Sequence, residues 1–401
     1  MTVLVINSGS SSLKYQVVDA GTGTACATGL VERIGSDGGR ITHTTPDGSW
    51  REDVTVPVHR AAMSAMSDAF AAHGPSLDTA NIGVVGHRVA QGADAFGGSI
   101  VIDDAVMASL DELADLAPLH NPANAAAIQA ARDLFPRLPH VAVFDTAFHA
   151  TMPAVAHTYA LDREVAERYR IRRYGFHGTS YAYVSREAAR MLGRAPDETN
   201  LIVLHLGNGA SACAVRNGVS VDTSMGLTPL EGLVMGTRTG DIDAAAVFHL
   251  SRVAHYDIDR IDEIFNTRSG VLGLCGRQDM RDLVAAALDG DASAELALDV
   301  YCYRIRKYIG SYTAVLGRVD AVVFTAGVGE NSAPVRERCL AGLDGLGIEL
   351  DAVANAAPSR EARDVATEAS RVRVLVIPTN EELEIARQAM AVVEDAPTSA
   401  P

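Results

Sequence analysis

Residues 1–14, MTVLVINSGSSSLK, are the stretch whose reading decides the fold. Thr2 to Ile6 is a short apolar, β-branched run and predicts a buried strand. Asn7 to Ser12 predicts a tight turn rich in hydroxyls and backbone N–H groups, and Leu13 to Asp19 a returning strand. Such a turn between two buried strands can cradle an anion, because its N–H groups converge on phosphate oxygens. Lys14 adds a point charge. The stretch is not a Walker A loop: G-x-x-x-x-G-K-[ST] is absent and no helix pattern follows. A plain serine-rich hairpin turn is the ordinary alternative for these residues.

The design recurs. Leu201 to Leu206 predicts a strand, Gly207-Asn208-Gly209 a turn, and Ala210 to Arg216 a returning strand. The likeness is one of pattern, with low identity, and points to an internal duplication. Around the first hairpin, Ala25 to Val31, Arg40 to Thr44 and Trp50 to Val56 predict antiparallel strands extending its sheet. Val58 to His73 predicts a helix, and Asn81 to Ala90 a core strand ending at His87 and Arg88. Asp103 to Leu116 and Pro122 to Phe135 predict helices, and His140 to Phe144 a buried strand followed by Asp145. In the second half, Ser180 to Leu192 predicts a helix with Ser180 as N-cap. Helices also follow at Asp243 to Val253, Asp257 to Asn266, Asp279 to Leu288 and Ala292 to Leu316. Asp320 to Ala326 predicts a strand running into a third glycine-rich turn, Gly327 to Asn331, with a helix from Ser332. Val372 to Ile377 predicts the last strand, Asn380 to Val393 the last helix, and Glu394 to Pro401 a disordered tail. Strands alternating with helices in two similar halves predict a two-lobed α/β protein with a cleft between the lobes.

The chain has 401 residues, 48% of them apolar and 21% charged, the balance of a soluble enzyme of two or three domains. A net charge of −16 argues against a nucleic-acid surface. An anionic substrate would need local Arg, Lys and His. No run of about 18 apolar residues predicts a membrane span, and the strand beginning at residue 2 leaves no room for a signal peptide. Five scattered cysteines without CxxC spacing fit a reducing cytoplasm and neither a disulfide framework nor a zinc site.

Asn7, Arg88, Asp145, His177, Asn208, Arg238 and Asn331 stand at strand ends or on glycine-rich turns, where open α/β sheets bind ligands. Taken singly, each has an ordinary reading. Asp145 could cap a helix, His177 and His205 could be satisfied core histidines, and Arg88 and Arg238 could form surface ion pairs. Three glycine-rich turns after apolar strands in one chain suggest a common ligand, the phosphates of a nucleotide.

Longer motifs now identify a resemblance: VINSGSSSLKY (5–15), GHRV (86–89), PLHNPAN (118–124), FDTAFH (144–149), RRYGFHGTS (172–180), HLGNGAS (205–211), DTSMGLTPLEGLVMGTRTGDID (222–243), FTAGVGENS (324–332) and PTNEEL (378–383). In this order and spacing, end to end, they resemble the acetate/propionate/butyrate kinase family of the actin-like ATPase superfamily. The resemblance implies two similar lobes of the duplicated ribonuclease H-like fold. The first, residues 1–150 with 382–401, would carry the substrate and phosphoryl side. The second, residues 151–381, would carry nucleotide binding and dimerisation.

It further implies reversible phosphoryl transfer from ATP to acetate, giving ADP and acetyl phosphate, in a cytoplasmic homodimer using Mg2+ or Mn2+. Asn7 and Glu381 would help hold the metal, directly or through water. Ser10, Ser12 and Lys14 would approach the transferred or β-phosphate. His205, Leu206, Gly207, Asn208 and Gly209 would form the second phosphate hairpin. Asp279, Met280 and Arg281 would flank adenosine, and Gly327, Val328, Gly329, Glu330 and Asn331 would cover ribose and α-phosphate. Arg88 would bind the carboxylate, with Val89, Leu119, Phe176 and Pro229 around the substrate methyl. Asp145 would be the active-site carboxylate, with His177 and Arg238 stabilising the transition state. Acetate is already an anion at neutral pH, so Asp145 is expected to orient Arg238, Mg2+ or water and not to act as a base. Asp145→Asn would then impair metal dependence as well as turnover. One departure stands out: residues 87–93 read HRVAQGA where the family usually has HRVVHGG, so Ala90, Gln91 and Ala93 replace Val, His and Gly. The rival readings are a propionate or butyrate kinase and a non-catalytic nucleotide-binding protein on the same fold.

Overall fold

A computed structural model describes residues 1–77, 82–117 and 120–395. Leu119, the Pro118 that precedes it in its motif, Asn81 of the expected core strand, and most of the expected tail (396–401) lie outside the described residues. The chain divides into two compact units. One is Met1–Ala150 together with the chain from Asn380 on, and the other is Thr151–Thr379.

The first unit is built on β1 (Thr2–Ser8), β2 (Ser12–Asp19), β3 (Ala25–Glu32), β4 (Arg40–Thr45) and β5 (Gly48–Asp53). Then come α1 (His59–His73), β6 (Ile82–Val89), β7 (Ile100–Val101), α2 (Asp104–Glu112), α3 (Asn121–Leu134) and β8 (His140–Phe144). The strands form one sheet in the order β5-β4-β3-β2-β1-β6-β8-β7. β1 runs antiparallel to β2 and parallel to β6. Leu4 and Ile6 of β1 join Met63 and Met66 of α1 and Ala130 and Ala131 of α3 in one core. Val3 and Val5 are also fully buried. Cover on both faces is why β1 reads as an uninterrupted apolar run.

The second unit holds α4 (Ala154–His157), α5 (Arg163–Arg168), α6 (Gly178–Met191), β9 (Asn200–Leu206), β10 (Ala210–Arg216) and β11 (Val219–Thr223). Helices α7 (Ala245–Ala254), α8 (Ile258–Thr267), α9 (Gly270–Cys275), α10 (Met280–Leu288) and α11 (Ala292–Leu316) follow. The unit is completed by β12 (Ala321–Thr325), α12 (Ala326–Asn331), α13 (Ala333–Leu340), α14 (Ala352–Ala356), β13 (Arg363–Asp364) and β14 (Arg373–Val376). Its sheet order is β11-β10-β9-β12-β14-β13. α11 lays Leu298, Tyr301, Ile305 and Ile309 into a core with Ile202, Leu204, Val322 and Phe324. The chain then returns to the first unit with α15 (Glu381–Glu394). In that unit a Cβ added at Gly86 of β6 would stand 2.9 Å from Ile385 of α15, so this strand position needs glycine.

The central five strands of the two sheets match in order and polarity. In each, an antiparallel pair leads, a third strand adds to its outer edge, and two parallel strands follow. The two Gly/Asn hairpins therefore occupy equivalent corners of a repeated design.

Three local expectations are corrected. Ser180 does not cap its helix: α6 begins at Gly178 with His177 at the cap position, and the Ser180 hydroxyl lies 2.9 Å from His205 Nδ1. Residues 327–331 are not a turn but most of the short helix α12. The strand expected over Trp50 to Val56 ends at Asp53, and its span begins at Gly48, where a turn was expected. Among the described residues no helix is long and apolar enough to cross a membrane.

Candidate active site

In the first unit, three neighbouring parallel strands deliver three polar residues to the same sheet edge. Asn7 lies opposite Arg88 in the β1–β6 register. Val89 pairs with Phe144 across β6–β8, and the Asp145 amide donates to the Val89 carbonyl at 2.9 Å. Arg88 grips Asp145 with both sides of its fork, Nε to Oδ1 at 3.0 Å and Nη2 to Oδ2 at 2.5 Å. Arg88 Nη1 donates to Asn7 Oδ1 at 3.2 Å. Asp145 is 2% exposed and Arg88 27%. Burial alone would weaken the Arg88 charge, but the Asp145 carboxylate, then Glu381, outweighs it and raises the guanidinium above its ordinary range. The observed partner of Asp145 is thus Arg88 of its own unit, a pairing the sequence reading did not foresee.

Glu381 opens α15, after the Asn380 side chain caps the helix at the Leu383 amide. Burial, and then the nearby Asp145, raise its carboxyl above the usual range, against opposing pulls from Arg88 and Lys14. Glu381 and Asn7 offer oxygen donors only, the set a hard cation prefers. Among the described residues there is no cluster of three or more His, Cys, Asp or Glu able to hold a metal. An ion here would take its remaining ligands from phosphate and water, as Mg2+ commonly does.

The first hairpin closes with Gly9 N donating to Ser12 O at 2.8 Å, leaving Ser10 and Lys14 exposed. Two supports were missed in the sequence. His59 Nε2 donates to Gly9 O at 2.8 Å. The Asn124 amide, 4% exposed, donates to Ser8 O at 2.6 Å and accepts from Ala90 N at 3.1 Å. One side chain thereby ties the ends of β1 and β6. Asn121 does the same for both backbone groups of Gln91, at 3.2 and 3.0 Å. The signal is the Asn-Pro-Ala-Asn spacing of 121–124 within the PLHNPAN motif, in which the sequence reading assigns neither asparagine a role. Gln91 is itself fully buried. Its Oε1 accepts from Ala93 N, whose φ is +48°, while Nε2 finds no partner among the described residues. Val89 is buried beside this network.

In the second unit, the β9–β10 hairpin turns through Gly207-Asn208-Gly209, with Gly207 N donating to Gly209 O at 3.1 Å. His177 sits at the start of α6 with φ +59°, a left-handed conformation rare for histidine. Its Nδ1 lies 2.8 Å from Ser211 Oγ, and its ring stacks on His205 with centroids 4.1 Å apart. Arg238 has no carboxylate partner among the described residues. It donates to Pro229 O at 3.2 Å, and burial lowers the pKa of its guanidinium. A Cβ placed on Gly209 would be 3.7 Å from both Arg238 Nη1 and His177 Nε2, so two side-chain nitrogens converge on the hairpin.

The glycines of residues 222–243 make this convergence possible. A Cβ at Gly236 would fall 2.2 Å from Asn208 Oδ1, and one at Gly240, where φ is +67°, 2.4 Å from Leu233 O. Arg173 holds the same stretch from outside, donating to Thr223 O, Ser224 O and Glu231.

A cavity of about 960 Å3 opens beside the second hairpin. Gly207, Asn208, Asp279, Met280, Arg281 and Asn331 are in its wall, with Gly327 and Val328. Asp279 caps α10 at Arg281 N and pairs with the Arg281 side chain, which holds its carboxyl down at about 2. Gly329 is buried against Phe324, and Glu330 turns Oε1 to the Thr379 amide at 3.1 Å. The Leu206 and Phe176 side chains belong to the core of this unit.

Fold and site together define an α/β protein of two units of the duplicated actin-like ATPase type, with glycine-rich hairpins at matching sheet corners. The family model of the acetokinase family matches residues 2–387, and the chain belongs to that family. It is 58% identical over 389 residues to the acetate kinase of Clavibacter michiganensis subsp. michiganensis, covering 97% of this chain and 98% of the relative. The crystal structure of Porphyromonas gingivalis acetate kinase superposes with a TM-score of 0.93 at 40% identity, over 98% of this chain and 99% of that one. A propionate kinase structure from Francisella tularensis subsp. tularensis gives 0.92 at 38% identity, with the same coverage.

Proposed function

We propose that the protein is a carboxylate kinase that transfers the terminal phosphoryl group of ATP to acetate, reversibly and by direct in-line displacement. The observation that carries this reading is the contrast between two arginines. Arg88 is braced by Asp145 and Asn7, so its remaining donors are pre-aimed and suit a ground-state carboxylate. Arg238 is half-buried, with no carboxylate partner among the described residues, beside His177 and the second hairpin. It suits charge that appears on the three equatorial phosphoryl oxygens only in the transition state.

In this reading Arg88 binds the carboxylate, and Val89, Leu119, Phe176 and Pro229 surround its alkyl end. Ser10, Ser12 and Lys14 hold the phosphoryl side, and the second hairpin holds the nucleotide phosphates. Asp279 to Arg281 flank the base, and Gly327 to Asn331 the ribose. Asp145 orients Arg88; the substrate, already ionised, needs no base. Asn7 and Glu381 would hold Mg2+, which when bound neutralises phosphate charge. The first unit would serve as the substrate lobe and the second as the nucleotide and dimer lobe. A homodimer is supported by α7, which has no buried residue and exposes Phe248 and Val253. Five free cysteines support a reducing, cytoplasmic setting.

The propionate kinase neighbour favours one second reading, a longer acid, since a methylene changes selectivity by only ~1–3 kcal/mol in such pockets. The test is hydroxylamine trapping of acyl phosphate with ATP, Mg2+ and acetate, propionate or butyrate, run alongside Arg88→Ala. Acetate-dependent product that Arg88→Ala abolishes supports the proposal, and product mainly with longer acids moves the substrate. No product from any of the three refutes a carboxylate kinase.

A further inference from the structure

Arg336 is among the largest side chains fully buried in the protein, at 1% exposure, and no carboxylate neutralises it among the described residues. It sits on α13, and its donors go to neutral oxygens only. Nε meets Asn355 Oδ1 at 2.7 Å and Nη2 meets Asn355 O at 2.8 Å. Nη1 reaches Gly329 O at 2.9 Å and Glu330 O at 3.0 Å. Burial, with Arg363 nearby, lowers its pKa to about 10. A buried guanidinium without a counter-ion is costly to keep, so the carbonyls it holds matter.

Those carbonyls belong to the last residues of α12. Six residues make too short a helix to hold its own place, and the carbonyls of its last turn have no partners within the helix. α12 is therefore held from outside. Arg336 takes two of its carbonyls, and the Asn355 amide, donating to Ala333 O at 3.1 Å, joins α14 to the start of α13. The opposite side of α12, Gly327, Val328 and Asn331, is wall of the 960 Å3 cavity, joined there by Ser332 and Pro334 from the start of α13. A displaced α12 would take that wall with it.

We infer that Arg336 is a positioning residue for nucleotide binding, locking α12 so that its Gly327, Val328 and Asn331 face is preset before the nucleotide arrives. The inference rests on reading that cavity as the nucleotide site. The side chain touches no substrate and acts through the Gly329 and Glu330 carbonyls. Removing it orphans two backbone carbonyls and Asn355 together, so α12 would adopt its bound position only part of the time. Nucleotide affinity then falls by the fraction of time the wall is correctly placed.

The test uses the full-length protein. ADP affinity by calorimetry, KM for ATP and for acetate, and amide exchange of residues 326–331 are measured for wild type, Arg336→Met and Arg336→Lys. Arg336→Met is expected to weaken ADP binding about tenfold or more, the effect of one lost charge-assisted contact. KM for acetate should stay within about twofold, and exchange over 326–331 should quicken while that of β9 and β10 does not. Arg336→Lys, which reaches fewer of the same carbonyls, should lie between, and it carries the test if Arg336→Met does not fold. A lower melting temperature with unchanged ADP affinity in the folded variants would make Arg336 a purely structural residue and overturn the inference. Failure of the wild type itself to bind ADP would instead sink the nucleotide reading of the cavity.

Discussion

Replacing Asp145 by Asn tests the carboxylate site at its most constrained contact. The pair is fork to fork, with Asp145 2% exposed, so water cannot take over the role of its oxygens. Asn can still accept one Arg88 N–H, but its own NH2 would face the other, donor against donor. Breaking a buried pair costs about 3–5 kcal/mol. Arg88 is partly solvated and Asn7 still holds Nη1, so a cost discounted to just below that range, about 2–3 kcal/mol, is the expectation. In the transition state this corresponds to a fall of roughly 30- to 150-fold in kcat/KM for acetate. KM for ATP should change little. The Mg2+ concentration giving half-maximal rate should rise, because a carboxylate near Asn7 and Glu381 has lost its charge. The assay is hydroxylamine trapping at varied acetate and fixed saturating ATP, repeated across an Mg2+ titration. A kcat/KM for acetate within about threefold of wild type would refute the claim that Asp145 orients Arg88. An unchanged Mg2+ response alongside a large loss would keep that claim and remove the metal from it.

Arg238→Ala should cost about 3 kcal/mol of transition-state stabilisation, some 100-fold or more in kcat. Its melting temperature should change little, because the side chain gives up one carbonyl contact and a weak thioether contact; a large drop in melting temperature would mark a structural role. His87 and His140 share a buried hydrogen bond of 2.9 Å, and burial holds His87 well below the usual histidine range and lowers His140 as well. Below about pH 6.5 the unfolded chain takes up protons that the native pair refuses, so their contribution is present above that pH and is lost as pH falls. Melting temperature should therefore decline from pH 7 to 5, and less steeply in a His87→Leu/His140→Leu double variant; equal slopes would show that other groups control acid stability.

Periodicity and turn chemistry carry a good deal of this protein by themselves. Thr2 to Ile6 and Leu201 to Leu206 read as buried strands because cover on both faces leaves no polar alternation. The Ala292 to Leu316 helix was legible to the residue, starting after the Asp291 cap and stopping at Gly317. Both hairpins were legible because Gly, Asn and Ser announce tight turns locally. Tertiary structure decided what local rules cannot see. The 327–331 stretch reads as a turn because Gly327 and Gly329 weaken a helix, yet it is helical, held by Arg336 from the next helix. Ser180 has a good cap residue's side chain, but His205 and Thr379 claim its hydroxyl from distant points in the chain. Which arginine is braced and which is not follows from strand order: β6 lies between β1 and β8, so Arg88 meets Asn7 and Asp145, while among the described residues no strand delivers an acid to Arg238. Sequence names the residue types available for chemistry; the pairing of parallel strands, distant in sequence and adjacent in space, decides which charges meet.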